Sequence, residues 1–295
     1  MTQPNELPGL GKNAVAWKET MGILIEPMII YRNGVSPGGL NSQRTLPFYT
    51  WWWIESGKVE IETCGRLQVV RPGQWILIPA GVMRTQEFDP ASTIISINFL
   101  ASWGDRLPLL GLAEPLIGEG CRTARLRELA GAVCEVLENA AEPSRRGRHG
   151  ASLTLREALR FRTRLSAFVS ALLEYAADHG GQWIDRSASE PRLEWVLESI
   201  RQQVRAGPLP FDQWQRATRL GRSQLERLAR QHLRMSLAVY RDRLLAAEAC
   251  RRLASRDLLI KQIAADLGFV DVAHFCRWFR GRTRQSPGEF RKSHF

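Results

Sequence analysis

The chain has 295 residues, 44% of them hydrophobic and 24% charged, and 41 Lys+Arg against 30 Asp+Glu give a formal net charge of +11. That length exceeds what one hydrophobic core usually holds, so two domains are expected, with apolar material for both. Five scattered cysteines, Cys64, Cys121, Cys134, Cys250 and Cys276, form no CxxC pair, which argues against disulfides and zinc and for a reducing cytoplasm.

At the amino terminus no basic segment precedes an apolar one, and the apolar run 21–30 is short and interrupted by Glu26 and Pro27, so neither export nor a membrane span is expected. From Phe48 to about Leu100 the chain reads as strands and turns. The runs WWWIES, KVEIET, RLQVV, QWILIP and STIISINFL are separated by Ser56-Gly57, Cys64-Gly65, Pro72-Gly73 and Pro79-Ala80-Gly81, which predicts an antiparallel sandwich or barrel. In KVEIET, Val59 and Ile61 alternate with charged residues, as in a strand with one wet face. From about Arg122 the period becomes helical: Leu126, Leu129, Val133 and Val136 mark one amphipathic helix. Phe161, Leu165, Phe168, Leu172 and Tyr175 mark a second, after a break at 142–150. Residues 187–191 read as a linker.

Beyond the linker the pattern is helical throughout: 192–205, 211–218, 222–232, a long connecting helix 237–254, 260–266 and 272–282. Asp257 and Asp271 stand as N-caps, and Gly268 sits in a turn that calls for a left-handed residue. This region repeats itself at a spacing of fifty. Aligning LERLARQHLRMSLAVYR, from Leu225, with FCRWFRGRTRQSPGEFR, from Phe275, gives five identical pairs: Arg227/Arg277, Arg230/Arg280, Arg234/Arg284, Ser236/Ser286 and Arg241/Arg291. The charge is divided in the same way. Residues 1–190 carry 20 Lys+Arg and 20 Asp+Glu, and residues 191–295 carry 21 and 10, so the whole excess lies in the last third. A basic footprint on a duplicated helix points to duplex DNA as the partner.

On a helical wheel Leu225, Leu228, Ala229 and His232 share a side, and Ser223, Arg227 and Arg230 oppose them. Phe275, Trp278, Phe279 and Arg282 are likewise opposed by Ala273, Arg277 and Arg280. The amino-terminal half of a recognition helix enters the major groove. Ser223, Gln224 and Arg227, with Ala273, His274 and Arg277, are therefore the candidate base readers, while Arg230 and Arg280 suit phosphates.

The stretch IKQIAADLGFVDVAHFCRWFRGRTRQSPGEFR resembles the DNA-binding region of the AraC/XylS family of bacterial transcription regulators, and the resemblance extends over about 192–292. It carries the family's Ile-Ala pair, Gly-Phe turn, Phe-x-Arg-x-Phe helix and closing Pro-x-x-Phe-Arg. The first unit departs from the pattern at Gln215, Arg219 and Gly221, and Arg234 and Arg284 stand where the family usually places a helix-terminating glycine. GRLQVVRPGQWILIPAGVMRTQEF is similar to the strand-turn-strand signature of the family's cupin-like effector domain.

The resemblance implies an α+β chain in three parts. A cupin-like β-barrel effector domain would occupy 1–120, a helical spacer able to dimerise 121–186, and an all-α domain with two helix-turn-helix units 191–295. It implies a sequence-specific regulator controlled by a small-molecule effector, binding double-stranded DNA, pairing as a homodimer and touching RNA polymerase, with recognition helices about 34 Å apart. Metal cupins use histidine clusters, yet residues 1–148 contain no histidine and Arg84 stands about where a ligand histidine would be expected. No metal, cofactor or catalytic residue is therefore expected. Trp51, Trp53, Trp75 and Arg84 are the candidate effector contacts, since an indole stacks on rings and an arginine clamps a carboxylate or phosphate. The competing readings are a metal-free cupin enzyme with a DNA-binding tail and an architectural DNA binder.

Overall fold

The computed structural model describes residues 22–35, 41–63, 65–103, 108–119, 121–140, 153–184, 190–233, 235–254 and 258–294. Its amino-terminal half is built from β1 (Ile23–Gly34), β2 (Asn41–Thr45), β3 (Tyr49–Ser56), β4 (Val59–Thr63), β5 (Arg66–Val70), β6 (Trp75–Ile78), β7 (Met83–Phe88) and β8 (Thr93–Trp103). The short strands β9 (Leu110–Gly111), β10 (Leu116–Gly118) and β11 (Gln182–Trp183) complete it. One sheet has the order β1-β8-β3-β6-β10 and the other β2-β7-β4-β5; β9 pairs with β11. The expected cupin-like barrel is thus an open two-sheet sandwich. Among the described residues no ladder joins the sheets, because β1 and β10 end one and β2 and β5 end the other.

β1 lies where the sequence shows only a broken apolar run. Proline lacks an amide hydrogen and is tolerated in an edge strand or at a bulge, and Pro27 meets both conditions: β1 pairs with β8 alone, and its register shifts between Pro27 and Ile29. The three tryptophans of β3 alternate as expected. Trp52 and Ile54 turn into the sandwich against Val59, Ile61 and Phe88, while Trp51 and Trp53 turn outward. That outer face is covered by α1 (Cys121–Ala140) and α2 (Leu155–Asp178), the latter opened by a capping box between Thr154 and Glu157. The break at 142–150 and most of the linker 187–191 lie outside the described residues.

The carboxyl-terminal region contains α3 (Pro191–Gln202), α4 (Phe211–Thr218), α5 (Arg222–Leu233), α6 (Leu237–Leu253), α7 (Ile260–Asp266), α8 (Val272–Thr283) and α9 (Pro287–His294). α3 stops three residues short of the sequence reading, and α6, of 17 residues, is about 25 Å long. Asp271 caps α8 through the His274 amide, at 2.6 Å. Asp257 lies outside the described residues; the residue at the start of α7 is Leu259, whose amide donates to Gln262 Oε1 at 2.9 Å. Gly268 turns the chain at φ +79°, and its backbone amide donates to the Ala265 carbonyl.

The two halves share buried surface. Met28, Ile29, Leu46 and Phe48 from the strands join Leu245, Phe275, Phe279 and Phe290 from the helices in a single apolar cluster, and β2 lies against α8. Among the described residues no helix is long and apolar enough to cross a membrane.

Candidate nucleic-acid interface

The duplication read from sequence is exact in its exposure. Along Arg222–Arg230 and along Val272–Arg280 the same positions are exposed, half-buried and buried in the same order. Leu225 and Ala229 are buried in one copy and Phe275 and Phe279 in the other. Burial of those apolar residues fixes each helix's rotation, and a fixed rotation leaves Ser223, Gln224, Arg227 and Arg230, and Ala273, His274, Arg277 and Arg280, on the solvent side. All eight candidate DNA contacts therefore face outward in two equivalent sets.

Two of the eight have additional local roles. Gln224 Oε1 accepts the Gly221 amide at 2.9 Å, closing the start of α5, and the His274 ring lies edge-on to Phe269 with centroids 5.4 Å apart. Arg227, Arg230, Arg277 and Arg280 form no ion pair among the described residues.

The other identical pairs hold the framework. Ser236 caps α6 through the Val239 amide, and Ser286 with Glu289 forms the corresponding box at the start of α9. Arg241 Nη1 donates to the carbonyls of Arg205 and Gly207, and its counterpart Arg291 donates to the carbonyl of Leu258 at 2.8 Å. Each ties the helix that follows a recognition helix to the loop that precedes its unit. Arg284 ends α8 in the left-handed conformation at φ 64°, as its stand-in for glycine requires, and Arg219 ends α4 in the same way at φ 58°. An L-residue there costs ~1 kcal/mol relative to glycine. Arg234 lies outside the described residues. Asp242 joins the two units, since it accepts from Arg241 Nε at 2.9 Å and from Arg282 of α8.

The candidate effector contacts separate. Trp51 packs edge-on to Phe168 of α2 at 4.9 Å, Trp75 lies 5.1 Å from Tyr175, and both are fully buried. The Trp75 ring also fills the space a side chain at Gly118 would need. Trp53 faces the same layer, with Arg127 over its ring at 5.7 Å. These three rings form the contact between sheet and helices. Arg84 alone points into the sandwich.

Sequence reasoning missed a cleft of about 600 Å³ between the halves. Met28, Tyr49 and Leu100 line it from the sheets, Val204 from the segment after α3, and Arg243 and Leu244 from α6. No local pattern announces it, because its walls come from segments a hundred or more residues apart. The Arg243 guanidinium is open to this cleft, forms no ion pair among the described residues, and has its pKa lowered by desolvation.

Known proteins agree with this geometry. Residues 214–293 match the helix-turn-helix domain family. Over 129 residues the chain is 28% identical to YijO, an uncharacterized HTH-type transcriptional regulator of Escherichia coli K12, which is 43% of this chain and 44% of that one. Over 115 residues it is 33% identical to the HTH-type transcriptional activator RhaS of Pectobacterium atrosepticum, 39% of each chain. These matches span less than half of either relative. Among solved structures, ToxT of Vibrio cholerae with a bound unsaturated fatty acid superposes with a TM-score of 0.54 at 14% identity, covering 91% of this chain and 94% of that one. ToxT from strain O395 gives 0.55, also at 14%, covering 92% and 98%. Residues 214–293 of this chain are therefore an AraC-type helix-turn-helix domain, carried on a fold shared along most of the chain's length with ToxT.

Proposed function

We propose that the protein is a cytoplasmic, sequence-specific transcription regulator whose hold on DNA is set by a small-molecule effector. The observation that carries this is the pair of recognition helices, α5 and α8, with matching exposed arginines on one framework. Two equivalent basic helices suit two successive major grooves of one duplex. Residues 1–120 act as the sensing domain, 121–186 as the spacer and 191–295 as the reader. Leu155 and Leu159, exposed one turn apart on α2, suit pairing with a second copy. Bound DNA then presents the assembly to RNA polymerase.

The effector acts from the cleft, because a ligand there touches both halves and biases how they sit. Its apolar walls and the Arg243 guanidinium fit an amphiphile ending in a carboxylate, the class of the unsaturated fatty acid held by ToxT. The test uses the intact protein at fixed salt, comparing its operator with random duplex, with and without oleic acid. The expected preference for the operator is on the order of a thousandfold or more. Oleic acid changes operator affinity, and Arg243→Met removes that response while leaving affinity without oleic acid unchanged. Equal affinity for both duplexes favours the architectural reading, and an unchanged response in Arg243→Met places the fatty acid elsewhere.

A further inference from the structure

The two units match in exposure along their recognition helices and differ just before them. The fifty-residue repeat sets Val270 against Leu220 and Val272 against Arg222. Leu220 is buried, and the Arg222 guanidinium lies 4.6 Å above the Phe211 ring. In the second unit Val270, at 90%, is the most exposed large apolar side chain among the described residues, and Val272, the first residue of α8, is 38% exposed. A single exposed valine is ordinary, whereas two at the leading end of one helix, with no counterpart in its twin, mark an apolar contact that only the second unit makes.

Val270 is held outward from both sides. Phe269 before it is buried against Phe275 and Trp278, with its amide donating to the Ala264 carbonyl, and Asp271 after it is fixed by its bond to the His274 amide. A β-branched side chain on a fixed backbone has few rotamers to lose, so covering it costs little entropy. Whatever covers it must also suit its surroundings. Arg277 and Arg280, exposed on the same helix and without ion pairs among the described residues, call for an anionic partner, while the Asp271 carboxylate is committed to its cap. In the major groove of an anionic duplex, the apolar group that base edges offer is the C5-methyl of thymine.

We propose that Val270 and Val272 read thymine through its C5-methyl group, on the flank of the bases contacted by α8. The inference rests on α8 being a recognition helix and adds a chemical asymmetry to it. The second unit selects a thymine, and the first, with Leu220 buried and Arg222 folded onto Phe211, has no equivalent contact.

The test uses the operator enriched by the intact protein, with the α8 block identified as the one in which Arg277→Ala degrades preference. Deoxyuridine replaces thymine in that block one position at a time; uracil keeps every hydrogen-bonding group of thymine and lacks only the methyl. At one position at least, the affinity of the parent is expected to fall about fourfold, the equivalent of one buried methyl group. A chain carrying both Val270→Ala and Val272→Ala is expected to bind the thymine and uracil duplexes alike, and Val270→Ile to retain the preference for thymine. An α8 block without thymine, a parent indifferent to uracil, or a uracil penalty of the same size in the double variant overturns this inference while specific binding stands. The last of these, accompanied by a loss of transcriptional output, assigns the valines to a protein partner instead. Equal affinity of the parent for operator and random duplex overturns the recognition-helix reading as well.

Discussion

Replacing Arg277 by alanine is expected to weaken binding to the operator by ~1 to 3 kcal/mol and to relax preference at one or two base pairs. Arg277 stands on the exposed face of α8, rigidly opposed to the buried Phe275 and Phe279, and near enough to the helix start to reach base edges. Arg280, a turn further on, suits the backbone, so Arg280→Ala is expected to weaken all duplexes about equally. The change at Arg227 is expected to cost less than at Arg277, because its neighbour Gln224 is committed to the Gly221 amide and the first unit departs further from its family's pattern. Quantitative binding to single-base variants of the operator separates these outcomes. A uniform loss over specific and random DNA for Arg277→Ala removes its base-reading role, and a larger loss at Arg227 reverses the order of the two units.

Trp51→Ala is expected to destabilise the protein by ~3 to 5 kcal/mol, measured by urea unfolding. The indole is fully buried between β3 and α2, against Phe168 and 6.4 Å from Trp75, so truncation leaves a cavity where sheet and helices meet. Its indole nitrogen and that of Trp75 find no hydrogen-bond partner among the described residues. Trp51→Phe, which discards an unsatisfied donor and keeps most of the ring, is therefore expected to cost much less. Stability retained in Trp51→Ala, with effector response lost, would restore Trp51 as a ligand contact.

The carboxyl-terminal region was legible because its local signals agree. Apolar residues at helical spacing, Asp271 as a cap and Gly268 in its turn bring α4, α7 and α8 within a residue or so of their observed bounds, and the repeat identifies the outward arginines. The same repeat also marked Ser236, Ser286, Arg241 and Arg291, which prove to hold caps and carbonyls. Identity between copies preserves framework as well as contact, and only burial separates them. The strands of the first domain were legible where one face is apolar. β2 was not recognised, because NSQRT has no apolar residue, and β7 was legible only through the strand-turn-strand resemblance, because its inward face carries Arg84 and Gln86. Hydrophobic alternation fails where a sheet turns polar side chains inward, and it fails here at Arg84 and Gln86. The cleft and its Arg243 depend on distant segments meeting, which no local pattern reports.

The central claim is that α5 and α8 read one duplex together, and selection from a pool of randomised duplexes by the intact protein tests it most directly. The account predicts an enriched site with two blocks of preferred bases centred about 10 bp apart, one turn of B-DNA. Arg277→Ala degrades preference within one block and Arg227→Ala within the other. A pool without enriched sequence, or an enriched site in which both substitutions degrade the same block, contradicts it.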